Sequence, residues 1–247
     1  MDQPSQSQDD SAPPPYDPEK VADALSRDRL SKYLARTGGN ADRALTLYVW
    51  NAEVGAALTV VLSQVEIGLR NAIHRALADA FGPDWHRVAR FRNAHPRVQA
   101  ELDKAEGRLR KGSPSLPDII AASDFNLWRE LLRPAYGGIF WSKRIPLAFP
   151  SITLTGHERQ ILTALHARAE LLQDLRNRIA HHEPIIGSNW EPIGAKLADR
   201  HREAVELLGW ISPDLARWVL SRDHFAAVMA ACPEPVGRVS RSSGGRA

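Results

Sequence analysis

The stretch Leu172-Gln-Asp-Leu-Arg-Asn-Arg-Ile-Ala-His-His-Glu183, followed by Pro184, decides how the chain is read. Leu172, Leu175 and Ile179 recur at spacings of three and four, which is one apolar stripe of a helix. Gln173, Asn177 and His181 form a second stripe, and Asp174, Arg178 and His182 a third. Pro184 disfavours helical geometry at Glu183, so the helix is expected to stop near His182. Both histidines then sit at a helix end, and histidine is the side chain that exchanges protons near neutral pH. Arg176 and His181 stand in an Arg-x4-His spacing. On a helix these positions lie roughly 140° apart and about 7.5 Å along the axis, so they meet only because arginine is long and a last turn can tighten. A fixed cation, the Asn177 amide and a histidine together can hold a phosphate and move a proton. By itself the spacing is more economically read as a solvated basic helix end, because short motif matches are weak.

Upstream, a helical stretch runs from about Ala41, with Asn40 as its N-cap, to Phe81, where Gly82-Pro83 ends it. A bend is expected near Asn51 or Gly55. The centre of this stretch (Leu58, Val60, Val61, Leu62, Val65, Ile67, Leu69, Ile73, Leu77) is apolar almost all round, the mark of a helix buried on most faces. Ser63, Glu66, Arg70 and His74 cross it as a polar stripe bordered by Asn71, and Glu66 can pair with Arg70 at i, i+4. Such a stripe either faces water or lines a site. Before it, one helix is expected to begin at Pro18 and reach Gly38-Gly39.

Residues 86–112 carry eight Lys/Arg against three acids. Arg87, Arg90, Arg108, Arg110 and Lys111 are candidates to follow a phosphate backbone; any one of them alone is more economically read as part of a solvated helical face with an exposed loop. Leu116–Pro150 reads as short helices whose aromatics, Phe125, Trp128, Phe140, Trp141 and Phe149, suit a core better than base stacking. The helix bearing the opening stretch is placed over residues 157–182. A loop with Ser188-Asn189-Trp190 follows, then helices near Pro192–Leu208 and Pro213–Ala231 linked through Gly209, with Ser212 as N-cap. No strand-type alternation occurs, so the fold class is all-α. The organisation expected is a disordered tail over 1–17, one helical domain over 18–231 and a disordered tail over 232–247.

Composition narrows the chemistry. With 247 residues the chain can bury a substantial core. A net charge of +3 with a pI near 9.2 permits RNA binding without a strongly basic coat. The lone Cys232 excludes an internal disulfide and any cysteine-rich zinc site. Adjacent His181 and His182 point roughly 100° apart, and His-Glu-x-x-His is absent, so no metal is expected. Phosphate-binding and dinucleotide glycine motifs are also absent, and no cofactor is expected. The acidic, polar N-terminus lacks a signal-peptide layout. The most apolar run, Val54–Val65, is too short and too polar to span a bilayer. A cytoplasmic protein without a membrane partner is expected.

The string Leu175-Arg-Asn-Arg-Ile-Ala-His-His-Glu-Pro-Ile185 resembles the signature of the Abi-like (abortive infection) branch of the HEPN superfamily. Tyr48-Val-Trp-Asn-Ala-Glu53, Val65-Glu-Ile-Gly-Leu-Arg-Asn-Ala-Ile73 and Asp124-Phe-Asn-Leu-Trp-Arg-Glu-Leu-Leu132 fit the same branch, so the resemblance covers roughly residues 40–220. It implies a HEPN-like helical bundle, often a homodimer, and a metal-independent endoribonuclease in phage defence or toxin-like growth arrest; a nuclease held silent by an antitoxin or other regulatory partner, or by its own tails, is a further alternative. The resemblance assigns Arg176, Asn177, His181 and His182 to catalysis on RNA, and places Glu66, Arg70 and Asn71 beside them as lining residues. Some relatives bind RNA or protein without cutting, which leaves a non-catalytic binding module as the alternative.

Overall fold

The computed structural model describes residues 15–109, 115–186 and 195–233, and within them the chain is helical with no strand. Arg110, Lys111, Ser188, Asn189 and Trp190 lie outside the described residues, as do both expected disordered tails apart from residues 15–17 and 232–233. The helices are α1 (Pro18–Leu25), α2 (Arg27–Arg36), α3 (Ala41–Phe81), α4 (Ala89–Arg92), α5 (Pro96–Arg108), α6 (Leu116–Ala122), α7 (Phe125–Glu130), α8 (Ile145–Ala148), α9 (Glu158–Ala180), α10 (Ala195–Ile211), α11 (Pro213–Leu220) and α12 (Phe225–Ala230).

Most boundaries follow local chemistry. Asp17 accepts from the Glu19 N–H at 3.0 Å, with Pro18 at the first helical position. Ser26, at φ 76°, breaks the expected first helix into α1 and α2. Gly209 was an expected linker, yet α10 runs through it to Ile211. Trp210 and Ile211 are buried, and the Trp210 indole donates to Thr153 Oγ1 at 3.1 Å. That tertiary anchoring outweighs the roughly 1 kcal/mol glycine costs in a helix. The expected helix over Pro213–Ala231 splits instead into α11 and α12. Asp223 causes the break: Oδ1 accepts from the Phe225 N–H at 2.9 Å while Oδ2 meets His201 Nε2 at 2.7 Å. Local bonds of this kind compete with the helical ladder.

The chain divides into two compact units within α3, described residues 15–51 with 232–233, and residues 52–231. In the first, Leu30, Tyr33, Leu47 and Trp50 are buried, and Tyr33 meets Tyr48 edge-on. In the second, α3 buries Leu58, Val61, Leu62, Val65, Leu69, Ile73 and Leu77, and α9 buries Leu162, Leu165, Leu172 and Leu175. Phe125, Trp128, Phe140, Trp141 and Phe149 are all inside, as their core reading required, and Trp85 and Phe91 are buried too. Each such side chain contributes about 1.5–3 kcal/mol on burial. The covering of α3 is less complete than its composition suggests, for Val60 and Ile67 remain exposed. By length and composition α3 could cross a membrane, but half of that stretch is buried within the protein.

Three histidines of the second unit are held below the ordinary value of 6.5, each first because burial disfavours the charged ring. His74 Nδ1 accepts from the Trp85 indole at 3.0 Å. His86 is buried, and neither of its ring nitrogens finds a hydrogen-bond partner among the described residues. His166 Nε2 is likewise buried and unpaired. With folded values depressed, the unfolded chain takes up protons first as pH falls. Stability from these groups is complete above the ordinary histidine value and is lost as pH drops below it. The melting temperature is therefore expected to fall between pH 7.5 and 5.5, and His86→Leu to flatten that fall without lowering the melting temperature at pH 7.5. Thermal unfolding across this range checks both; an unchanged slope in the variant would remove His86 from the cause.

Candidate functional site at the end of helix α9

Helix α9 begins at a reciprocal cap in which the His157 N–H donates to Gln160 Oε1 at 3.0 Å. It ends two residues before the sequence reading placed it, in a tight C-terminal cap. The His182 N–H donates to the Ile179 carbonyl at 3.0 Å and the Glu183 N–H to the Arg178 carbonyl at 2.9 Å, the paired bonds of a Schellman motif. That motif needs a left-handed residue, and here the residue is His182, at φ 55°. Glycine is the usual occupant, so a histidine there carries a cost of about 1–2 kcal/mol. Arg178 braces the cap: its Nη2 donates to the Pro184 carbonyl at 2.9 Å and its Nε lies 3.5 Å from Glu183 Oε2. Both histidine side chains are exposed.

Helix α3 runs close to this end of α9 at Gly55, where a single methyl would just reach van der Waals contact. A Cβ built there would lie 3.4 Å from Ile179 Cγ2 and 3.9 Å from Ile185 Cδ1. Further along α3, Glu66 Oε2 reaches 3.6 Å from Arg176 Nε, with Arg176 47% and Glu66 21% exposed. A pair this open to solvent is worth about 0–1 kcal/mol, so its consequence is orientation of the guanidinium more than stability. Arg176 Nη1 also makes a long contact, 3.4 Å, with Asn177 Oδ1.

The expected lining residues separate. Glu66 joins Arg176 and does not form the i, i+4 pair anticipated with Arg70. Arg70 Nη1 turns to the Ile120 carbonyl at the end of α6, 3.4 Å away, and its Nε is buried without a partner among the described residues. Asn71 is on the exposed side of α3. Asn177 turns its Oδ1 to Arg176, and its backbone carbonyl accepts the His181 N–H at 2.9 Å. Gln173, on the same stripe, is buried with Oε1 unpaired among the described residues.

The basic candidates also divide. Arg87 and Arg90 are exposed. Arg108 is committed to Asp124 by a two-pronged pair at 2.6 and 2.9 Å, and its Nη1 reaches the Ala122 carbonyl as well. The hydrogen bond from Arg108 is the main reason that the Asp124 carboxyl is held down to about 2. Arg108 thus ties α5 to the start of α7 and has little left for RNA. Among the described residues no group of three or more His, Cys, Asp or Glu is placed to hold a metal ion. Sequence reading missed two features here, the Gly55–Ile179 approach and the left-handed His182; a glycine facing an isoleucine across distant helices leaves no local signal.

Searches against protein-family models, curated proteins and solved structures find no match to the chain.

His182→Gly places the preferred residue in the left-handed position and is expected to raise the melting temperature by the equivalent of about 1 kcal/mol. Calorimetry checks this; destabilisation would show that the imidazole is holding the cap. Gly55→Val should act oppositely, costing about 1–3 kcal/mol through overpacking against Ile179, read in the same measurement.

Proposed function

We propose that the chain is a metal-independent endoribonuclease of the Abi-like HEPN type. The observation that carries this reading is the Glu66–Arg176 contact. It fixes a guanidinium beside Asn177, one turn below an exposed His181, with the only strained histidine of the described residues next in line. A guanidinium presents the two-pronged geometry that suits a phosphate, and strain kept at a non-glycine position is a mark of functional sites.

In the proposed reaction His181 accepts the proton of an RNA 2′-hydroxyl. The 2′-oxygen attacks the adjacent phosphorus, and Arg176 stabilises the charge that develops on the phosphorane. The bond to the 5′-oxygen breaks, and that oxygen takes a proton from a second acid, His182 or a histidine of a second copy. The products are a 2′,3′-cyclic phosphate and a 5′-hydroxyl. Single-stranded or loop RNA is the proposed substrate, since its sugars and bases are accessible. Exposed Val60, Ile67 and Leu171 offer apolar surface for a homodimer. Action in the cytoplasm in phage defence or growth arrest, under an antitoxin, rests on the resemblance alone. The exposed His181 ring, with no side chain seen to orient it, favours the other reading, a binding module that does not cut.

Purified protein incubated with total RNA in EDTA decides between them. Cleavage with cyclic-phosphate and 5′-hydroxyl ends is expected. His181→Ala should lose about 10²–10⁴ in rate and His182→Ala less, with circular dichroism unchanged. Binding without cleavage would favour the module, and activity restored only by a divalent ion would overturn the mechanism.

A further inference from the structure

Away from the end of α9, three arginines converge on one buried carboxylate. Glu130, the last residue of α7, is 1% exposed. Arg133 donates through Nε to its Oε2 at 2.6 Å and through Nη2 to its Oε1 at 3.2 Å, and Arg129 Nη2 donates to Oε1 at 2.8 Å. Arg97 of α5 brings Nη1 to 3.7 Å from Oε2. Glu170 of α9 stands 3.7 Å from Arg129. Three guanidiniums against two carboxylates leave the group net cationic. Arg97 and Arg133 approach the same carboxylate oxygen, so two like charges are held close together, an unfavourable arrangement that a further anion would relieve. They are also the more open of the three, with side chains 61% and 33% exposed.

A second observation points the same way. Tyr136 is fully buried, and its hydroxyl has no hydrogen-bond partner among the described residues; nor does His166 Nε2. Both feel the charges of Glu130 and Arg133. A buried polar atom left without a partner is accounted for by a water, a ligand, an ion or local strain.

We infer that Arg97 and Arg133 form a second phosphate-binding subsite, which takes a backbone phosphate of the RNA strand whose scissile phosphate lies at Arg176. The inference rests on the RNA reading above and extends it. Glu170, an exposed residue of α9 that meets Arg129, ties the arginine group to the helix that carries Arg176. The ten residues from His166 to Arg176 correspond to about 15 Å of helix, a span that a few nucleotides of single-stranded RNA can bridge. Continuity along α9 favours a nucleic-acid strand over an acidic peptide.

The test uses the full chain carrying His181→Ala, to stop cleavage, and a fluorescent decauridylate titrated at several salt concentrations. Arg97→Gln leaves Glu130 paired with Arg129 and Arg133, so the fold should stand. It is expected to weaken binding several-fold and to reduce the slope of log affinity against log salt by about one, the signature of one lost phosphate contact. Arg97→Lys should restore the slope, and diuridylate binding should not change. An unchanged slope in Arg97→Gln, beside His181-dependent cleavage by the otherwise wild-type chain, removes the subsite and leaves the activity standing. A reduced slope with no cleavage by that chain keeps the subsite and removes the activity. Arg97-dependent binding of oligo-aspartate with none of RNA overturns the inference in favour of an acidic protein partner.

Discussion

The proposed chemistry depends on how near α3 comes to the last turn of α9. Gly55 faces Ile179 at contact distance, the buried stripe of α3 from Leu58 to Leu77 fixes the rotation of that helix, and the rotation turns Glu66 toward Arg176. The salt bridge itself adds little to stability, since both partners are reached by solvent. Its value is geometric. An arginine has many rotamers, and holding its guanidinium before the substrate arrives removes an ordering cost from the reaction. Several kcal/mol of apolar burial along α3 and α9 therefore serve to place a contact worth less than one.

The other end of the arrangement is the cap. Pro184 stops α9, the Schellman bonds close it, and Arg178 secures the turn through Glu183 and the Pro184 carbonyl. The chain places a histidine where glycine would be less strained. Strain of that size persists only where the surroundings over-determine it, and such positions gather at functional sites. The cap projects His181 and His182 into solvent while Leu175 and Leu172, roughly two and three turns earlier, anchor the helix in the core. Rigid base and open tip follow from the same helix.

The helical class, the long α3 and the course of α9 were legible because each rests on periodicity and on Pro or Gly punctuation, which act within a few residues. Glu66 beside Arg176 was legible for a different reason: a polar stripe on a largely buried helix must find partners, and the resemblance suggested which. Arg70 was misread because the Ile120 carbonyl, fifty residues away in sequence, offers it a better-placed acceptor than Glu66 one turn before it. Arg108 was misread because a basic run looks the same whether its charges are free or matched by an acid such as Asp124 on another helix. Helix breaks at Ser26 and Asp223, and the run of α10 through Gly209, turn on side-chain bonds and burial that local propensity does not contain.

If Glu66 works through Arg176, the two must be coupled in the reaction. The most direct measurement is a double-mutant cycle on single-turnover RNA cleavage in EDTA, with Glu66→Gln, Arg176→Lys and the pair. Arg176→Lys keeps the charge and loses the fork, so each single change should slow cleavage while the double variant is scarcely slower than Arg176→Lys alone, a coupling within the usual range of about 0.5–3 kcal/mol for residues in contact. Losses that simply add, or an Arg176→Lys enzyme that cleaves at the wild-type rate, would contradict the placement of Arg176 by Glu66 as the basis of the site.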